Sequence, residues 1–132
     1  MEITNIYEAL KNAKKDEAVG IRSIRLSGDD NFALYAAEID GLKRIGAHYH
    51  TEVNEIYQVV EGNGKMHIGV LTDENKVEWK EPAIVKKGDC FTVKEGEVHQ
   101  LENTSREKLI IIFAGPYSHI STDRVVVKGV GE

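Results

Sequence analysis

The sequence predicts an all-β domain, a sandwich or closed barrel, preceded by one short helix. Three observations carry this. After Gly20 the chain breaks into short runs rich in Val, Ile, Phe and Tyr. Turn signals punctuate them: "SGDDN", Asp40-Gly41, "GNG" at Gly62, "TDEN", "KKGD" and "KEGE". The runs are also too many for one open sheet in 132 residues, and closure removes exposed edges.

The helix comes first. Ile6, Ala9, Leu10 and Ala13 fall at helical spacing, and Asn5 with Glu8 three residues later forms a capping-box pattern. Its expected task is to lay an apolar face over the sheet. Residues 1–18 are therefore read as a helical segment packed on a barrel of residues 19–128, with 129–132 as a free tail. Strands are expected at about 19–26, 32–40, 43–50, 55–61, 65–71, 76–80, 83–86, 90–93, 97–103, 108–114 and 123–128, following the apolar runs.

Composition narrows the function classes. With 30% charged residues and a formal charge of -5, the chain reads as an acidic soluble protein with no attraction to nucleic acid or an anionic membrane. The N-terminus lacks the basic-then-apolar order of a secretory signal, and no apolar run approaches the roughly 18 residues of a membrane span. A cytoplasmic location is expected. A single cysteine, Cys90, excludes an internal disulfide and a cysteine-rich zinc site. A buried, packing role is expected for it.

The stretch "GAHYHTEVNEIYQVVEG" carries the chemistry. Alternation along a strand puts His48 and His50 on one face, roughly 7 Å apart at Cα. After the turn "TEVN", Glu55 opens the next strand beside them. His99 begins another strand after a glycine turn. Three imidazoles and a carboxylate converging in a barrel suit a divalent transition metal with open positions. A single strand histidine is more often a packed residue than a ligand, so the combination is what counts.

The spacing resembles that of the cupin family. His48-Tyr49-His50, four residues, Glu55, six residues and Gly62 match that family's first motif. Gly88, Gly96, His99 and Asn103 match its second. Leu42 stands where a leading glycine is expected, with Gly41 one place early, and Lys94 replaces a proline. The resemblance implies a double-stranded β-helix (jelly-roll) barrel. It also implies one metal ion, iron, manganese, nickel, zinc, cobalt or copper, held by His48, His50, Glu55 and His99. Oxygenase or sugar and phosphosugar isomerase chemistry would follow, as would a non-catalytic ligand-binding or sensing role with a structural metal or none.

Strand parity adds further expectations. Asn63-Gly64 reads as a two-residue hairpin turn, which pairs Val59 with Ile68 and Tyr57 with Val70. Tyr57, Val59, Ile68 and Val70 then face inward and His67 outward. Arg44 falls on the face of His48, where a guanidinium would either bind a small anionic substrate or form a salt bridge at the barrel rim. Tyr57 is a candidate hydrogen-bond donor or proton carrier. Leu101 and Asn103 share the face of His99, with Asn103 holding a turn. His119, in "GPYSHISTD", is expected on a surface loop. Ile45, Ala47, Ile56 and Val60 fall on the outward parity, which predicts a homodimer.

Overall fold

A computed structural model describes all 132 residues. Helix α1 (Ile6–Asn12) is followed by β1 (Lys15–Asp16), β2 (Ile21–Gly28), β3 (Ala33–Ile39), β4 (His48–Tyr49), β5 (Glu55–Glu61), β6 (Asn63–Leu71), β7 (Val77–Trp79) and β8 (Ala83–Lys86). Then come β9 (Cys90–Val93), β10 (Val98–Glu102), β11 (Leu109–Gly115), a single 3-10 turn at Tyr117–Ile120 and β12 (Val125–Val126). One antiparallel sheet runs β1-β2-β3-β11-β5-β9. The other runs β12-β4-β10-β6-β7, with β8 also on β6. From β3 onward the chain passes back and forth between the two sheets, as in a double-stranded β-helix.

The core lies between the inner faces: Ala37, Ile39, Tyr57, Val59, Met66, Val85, Val93, Leu101, Leu109 and Ile111 form one buried cluster. Each of its larger side chains contributes about 1.5–3 kcal/mol by leaving water. The front helix covers the other face of the first sheet. Asn5 caps it by accepting from the Tyr7 and Glu8 amides, and Leu10 packs with Ala36 and Ile110 against Ile6, Ile24, Leu26 and Val60. Ala13, expected inside the helix, is its C-cap. No helix is long and apolar enough to cross a membrane.

Several expectations are corrected. Asn63-Gly64 is not a turn, because β6 starts at Asn63, whose partner is Lys86 in β8. The chain reverses at Gly62, with φ 91°, where a Cβ would lie 2.6 Å from the Lys108 carbonyl. β5 and β6 belong to different sheets, so the deduced register does not exist. Tyr57 and Val59 are nonetheless internal and Ile68 packs on the core, whereas Val70 is exposed. His67 is buried on the far side of its sheet from the core, bonded to Glu102 at 2.8 Å.

The expected strand 43–50 shrinks to His48–Tyr49, with a lone bridge from Arg44 to Glu102. Parity therefore fails before His48, and Ile45 packs on the core instead of facing out. Ala47 is buried and Val60 lies under the helix. Of the four residues behind the expected dimer face, only Ile56 is exposed. Lys15 and Asp16, placed outside the barrel by the sequence, extend its first sheet. The supposedly free tail is tied down: the Val130 amide donates to Gln100 Oε1 at 2.9 Å, and Arg44 Nη1 donates to the Val130 carbonyl at 3.0 Å. Cys90 is exposed, because β9 is the edge strand of its sheet.

Candidate metal centre

Two structural features bring the donors together. His48 in β4 lies directly opposite His99 in β10, and opposed residues share a face. His50 follows β4 on the same side. Glu55 opens β5 in the facing sheet and projects across the barrel. The four residues are all buried, and one potential ligand atom from each lies within 4.8 Å of the others.

The backbone fixes which ring nitrogens face inward. His48 Nδ1 lies 2.8 Å from the Gly46 carbonyl, His50 Nδ1 2.6 Å from the Asp123 carbonyl and His99 Nδ1 3.1 Å from the Glu97 carbonyl. A carbonyl only accepts, so each Nδ1 carries a hydrogen and Nε2 is the atom turned to the site, with a lone pair for a metal whenever the ring is neutral. Glu55 Oε2 lies 3.5 Å from His50 Nε2, and Oε1 lies 3.6 Å from His99 Nε2. His50 Nε2, His99 Nε2 and Glu55 Oε1 are buried without a hydrogen-bond partner. Buried polar atoms are costly to leave unpaired, and donors each about 2.0–2.2 Å from one ion would have this spacing. The donor set fits a divalent transition metal.

Burial pushes the His48 imidazolium down to about 3, with His99 and Arg124 adding to the effect. His48 is thus neutral, as a ligand must be. Burial would raise the Glu55 carboxyl, but the ring nitrogens of His119, His50 and His99 outweigh it and hold it well below the usual carboxylate range.

His119 is the residue that sequence reasoning misplaced. It is buried, at 2% exposure, instead of lying on a surface loop. The 3-10 turn carries it inward, stacked on His50 with centroids 4.1 Å apart. Its Nε2 donates to the Glu52 carbonyl at 2.6 Å, and its Nδ1 lies 3.4 Å from Glu55 Oε2. Burial works to lower its pKa, but Glu55 and the Glu52 carbonyl overcome this and raise it. The only sequence signal was the Gly115-Pro116 pair. Gly115 is required because a Cβ there would lie 2.7 Å from His119 Nδ1.

Arg44 is also displaced. It points away from the site towards the tail, near Val130 and Glu132. The guanidinium beside the histidines belongs to Arg124, with Nη2 3.5 Å from His48 Nδ1. Arg124, His48 and Tyr57 line a cavity of about 460 Å³, together with Ile21, Ala37, Ile45, Ile111 and Phe113, and with Asp16, Val19 and Ser23 also on its wall. Tyr57 is stacked on Phe91 and Phe113. Burial and the Glu55 charge push its phenol well above its ordinary range, so it remains protonated.

Of the two motif departures, Leu42 keeps the backbone of a glycine and Lys94 gains a hydrogen bond. Leu42 adopts φ 63°, the left-handed conformation that glycine takes without strain. The Lys94 amide donates to Glu97 Oε1 at 3.2 Å, a bond no proline makes.

The fold has many structural relatives. KdgF from a Halomonas species superposes with a TM-score of 0.67 at 16% identity, over 87% of this chain and 94% of that one. A Klebsiella pneumoniae protein with a double-stranded β-helix domain gives 0.68 at 17%, over 98% and 99%. A predicted oxalate decarboxylase from Thermotoga maritima gives 0.58 at 19%, over 81% of each chain. No curated protein sequence matches the chain. The family model for the cupin domain matches residues 38–115, which contain both histidine motifs and nine of the twelve strands whole or in part. By that match, and by two sheets that meet over three histidines and a glutamate, the chain belongs to the cupin family.

Proposed function

We propose that the protein is an enzyme that holds one divalent transition metal through His48, His50, Glu55 and His99 and acts on a small anionic molecule. The observation that carries this reading is the set of buried nitrogen and oxygen atoms that converge without partners while the Nδ1 of each donor histidine is tied to a carbonyl. When bound, such an ion supplies Lewis acidity and open positions for oxygenase or isomerase-type chemistry. The chain's own groups define the rest. Arg124 brings positive charge to the cavity wall and takes the anion, the role first expected of Arg44. Tyr57, protonated and walled by Phe91 and Phe113, donates a hydrogen bond and does not serve as a base. Ile21, Ala37, Ile45 and Ile111 exclude water from the reacting end.

Elemental analysis of the purified protein beside a His50→Ala, His99→Ala variant tests the reading. Near-stoichiometric iron, manganese, nickel, cobalt, copper or zinc that disappears in the variant is the expected result. Wild-type protein that carries no metal from supplemented medium and takes none up on titration refutes it.

A further inference from the structure

We propose that the cavity beside the candidate metal centre takes a monocarboxylate with an apolar body, and that Arg124 selects its charge. The inference rests on the reading above for the location of the reacting end, and on the cavity itself for the substrate class.

The arginine is the starting point. Arg22, Arg25 and Arg44 each lie near a carboxylate, Glu38, Asp30 and Glu132 respectively. Arg124 is half-buried and has none within 4.0 Å. Its one side-chain polar neighbour is His48 Nδ1, which the Gly46 carbonyl already occupies. A half-buried guanidinium that faces a cavity and has no carboxylate within ion-pair distance is a site for an anion supplied from outside, and its planar fork matches a carboxylate.

The rest of the wall determines the body. Seven of the twelve lining residues are hydrophobic. Tyr35, Phe113, Tyr57 and Phe91 stack in one row across the sheet, so Tyr57 and Phe113 meet the cavity with their edges and add to its apolar wall. The cavity's volume is within the roughly 300–1,000 Å³ of small-molecule pockets. A sugar phosphate fits this wall badly on two counts. Each buried hydroxyl needs a partner, and beyond Arg124 and His48 the lining offers only Asp16, Ser23 and the Tyr57 hydroxyl. A second negative charge would also share the wall with Asp16, with Arg124 the one guanidinium among the lining side chains.

Benzoate, benzamide and a hexose 6-phosphate are the probes, titrated by calorimetry and by amide chemical-shift changes into wild-type and Arg124→Met protein of measured metal content. Benzoate is expected to bind at least tenfold more tightly than its neutral isostere benzamide and than the sugar phosphate, and to lose at least tenfold in Arg124→Met. Equal binding of benzoate and benzamide, or tighter binding of the sugar phosphate, overturns the proposal in the wild type alone, whether or not the variant folds. Unchanged benzoate affinity in a folded Arg124→Met protein overturns it as well. Benzoate preference in a protein that takes up no metal supports this inference while refuting the metal reading.

Discussion

Replacing His119 separates its two neighbours, one in the polypeptide backbone and one in the metal centre. His119→Ala deletes the 2.6 Å bond to the Glu52 carbonyl and the ring that stands 3.4 Å from Glu55 Oε2. The first loss leaves a carbonyl without its donor, at about 1–3 kcal/mol of stability. The second frees the Glu55 carboxylate to turn, because His119 is the one imidazole beside it outside the donor set. Removing a partner of a metal ligand costs about 10–100-fold in metal affinity, or about 1.4–2.7 kcal/mol. The assay is chelator competition for Zn²⁺, paired with thermal melts of the metal-free protein. His119→Gln keeps an amide donor for the Glu52 carbonyl but not the imidazole beside Glu55. It is expected to recover most of the melting temperature and little of the affinity. A Zn²⁺ dissociation constant within threefold of wild type in both folded variants would refute the role assigned to His119.

Asn103→Ala tests what holds the second motif in place. Its fully buried amide donates to the Ile39, Asp40 and Glu107 carbonyls, and its oxygen accepts from the Ser105 amide. A loss of about 2–4 kcal/mol in urea unfolding is expected, and a loss below about 1 kcal/mol contradicts the account. Asp40 provides a pH test. The bond from Lys15 at 2.8 Å holds its carboxyl below the usual value against the opposing effect of burial. The folded pKa is therefore the lower one, so the stabilisation is fully present above about pH 4 and fades as pH falls through the folded value. Asp40→Asn should cost about 0.5–1 kcal/mol at pH 7 and nothing near pH 2. An equal cost at both pH values would show that charge is not the cause.

The strands were legible because alternation and turn residues agree over most of the chain, and the four donors because two independent spacings placed them. What escaped was whatever depended on irregular backbone. Arg44 was assigned to the cavity by counting back from His48 in steps of two. That count assumes a continuous strand, and residues 45–47 form none. Arg124 escaped because it follows Thr122 and Asp123 in a stretch of turn and bend geometry before β12, where parity has no meaning. Asn63-Gly64 misled because its composition suits a tight turn, yet Gly64 is there for close packing: a Cβ would lie 2.5 Å from the Glu102 carbonyl. Cys90 was taken as interior on the habits of its residue type, and its place at the edge of a sheet overrode them.

The order of these parts along the chain has a consequence for assembly during synthesis. His48, His50, Glu55 and His99 are all made before three of the residues that hold them: Asp123, whose carbonyl fixes His50, Val126, which pairs with His48, and His119 beside Glu55. A chain that ends at Gly115 already owns all four side chains and the Gly46 and Glu97 carbonyls that hold His48 and His99, but lacks the carbonyl that fixes His50 and the ring beside Glu55. The segment from Pro116 to Val126 acts as a latch over side chains already in place, so the site gains its full set of neighbours only when that segment has folded onto the barrel.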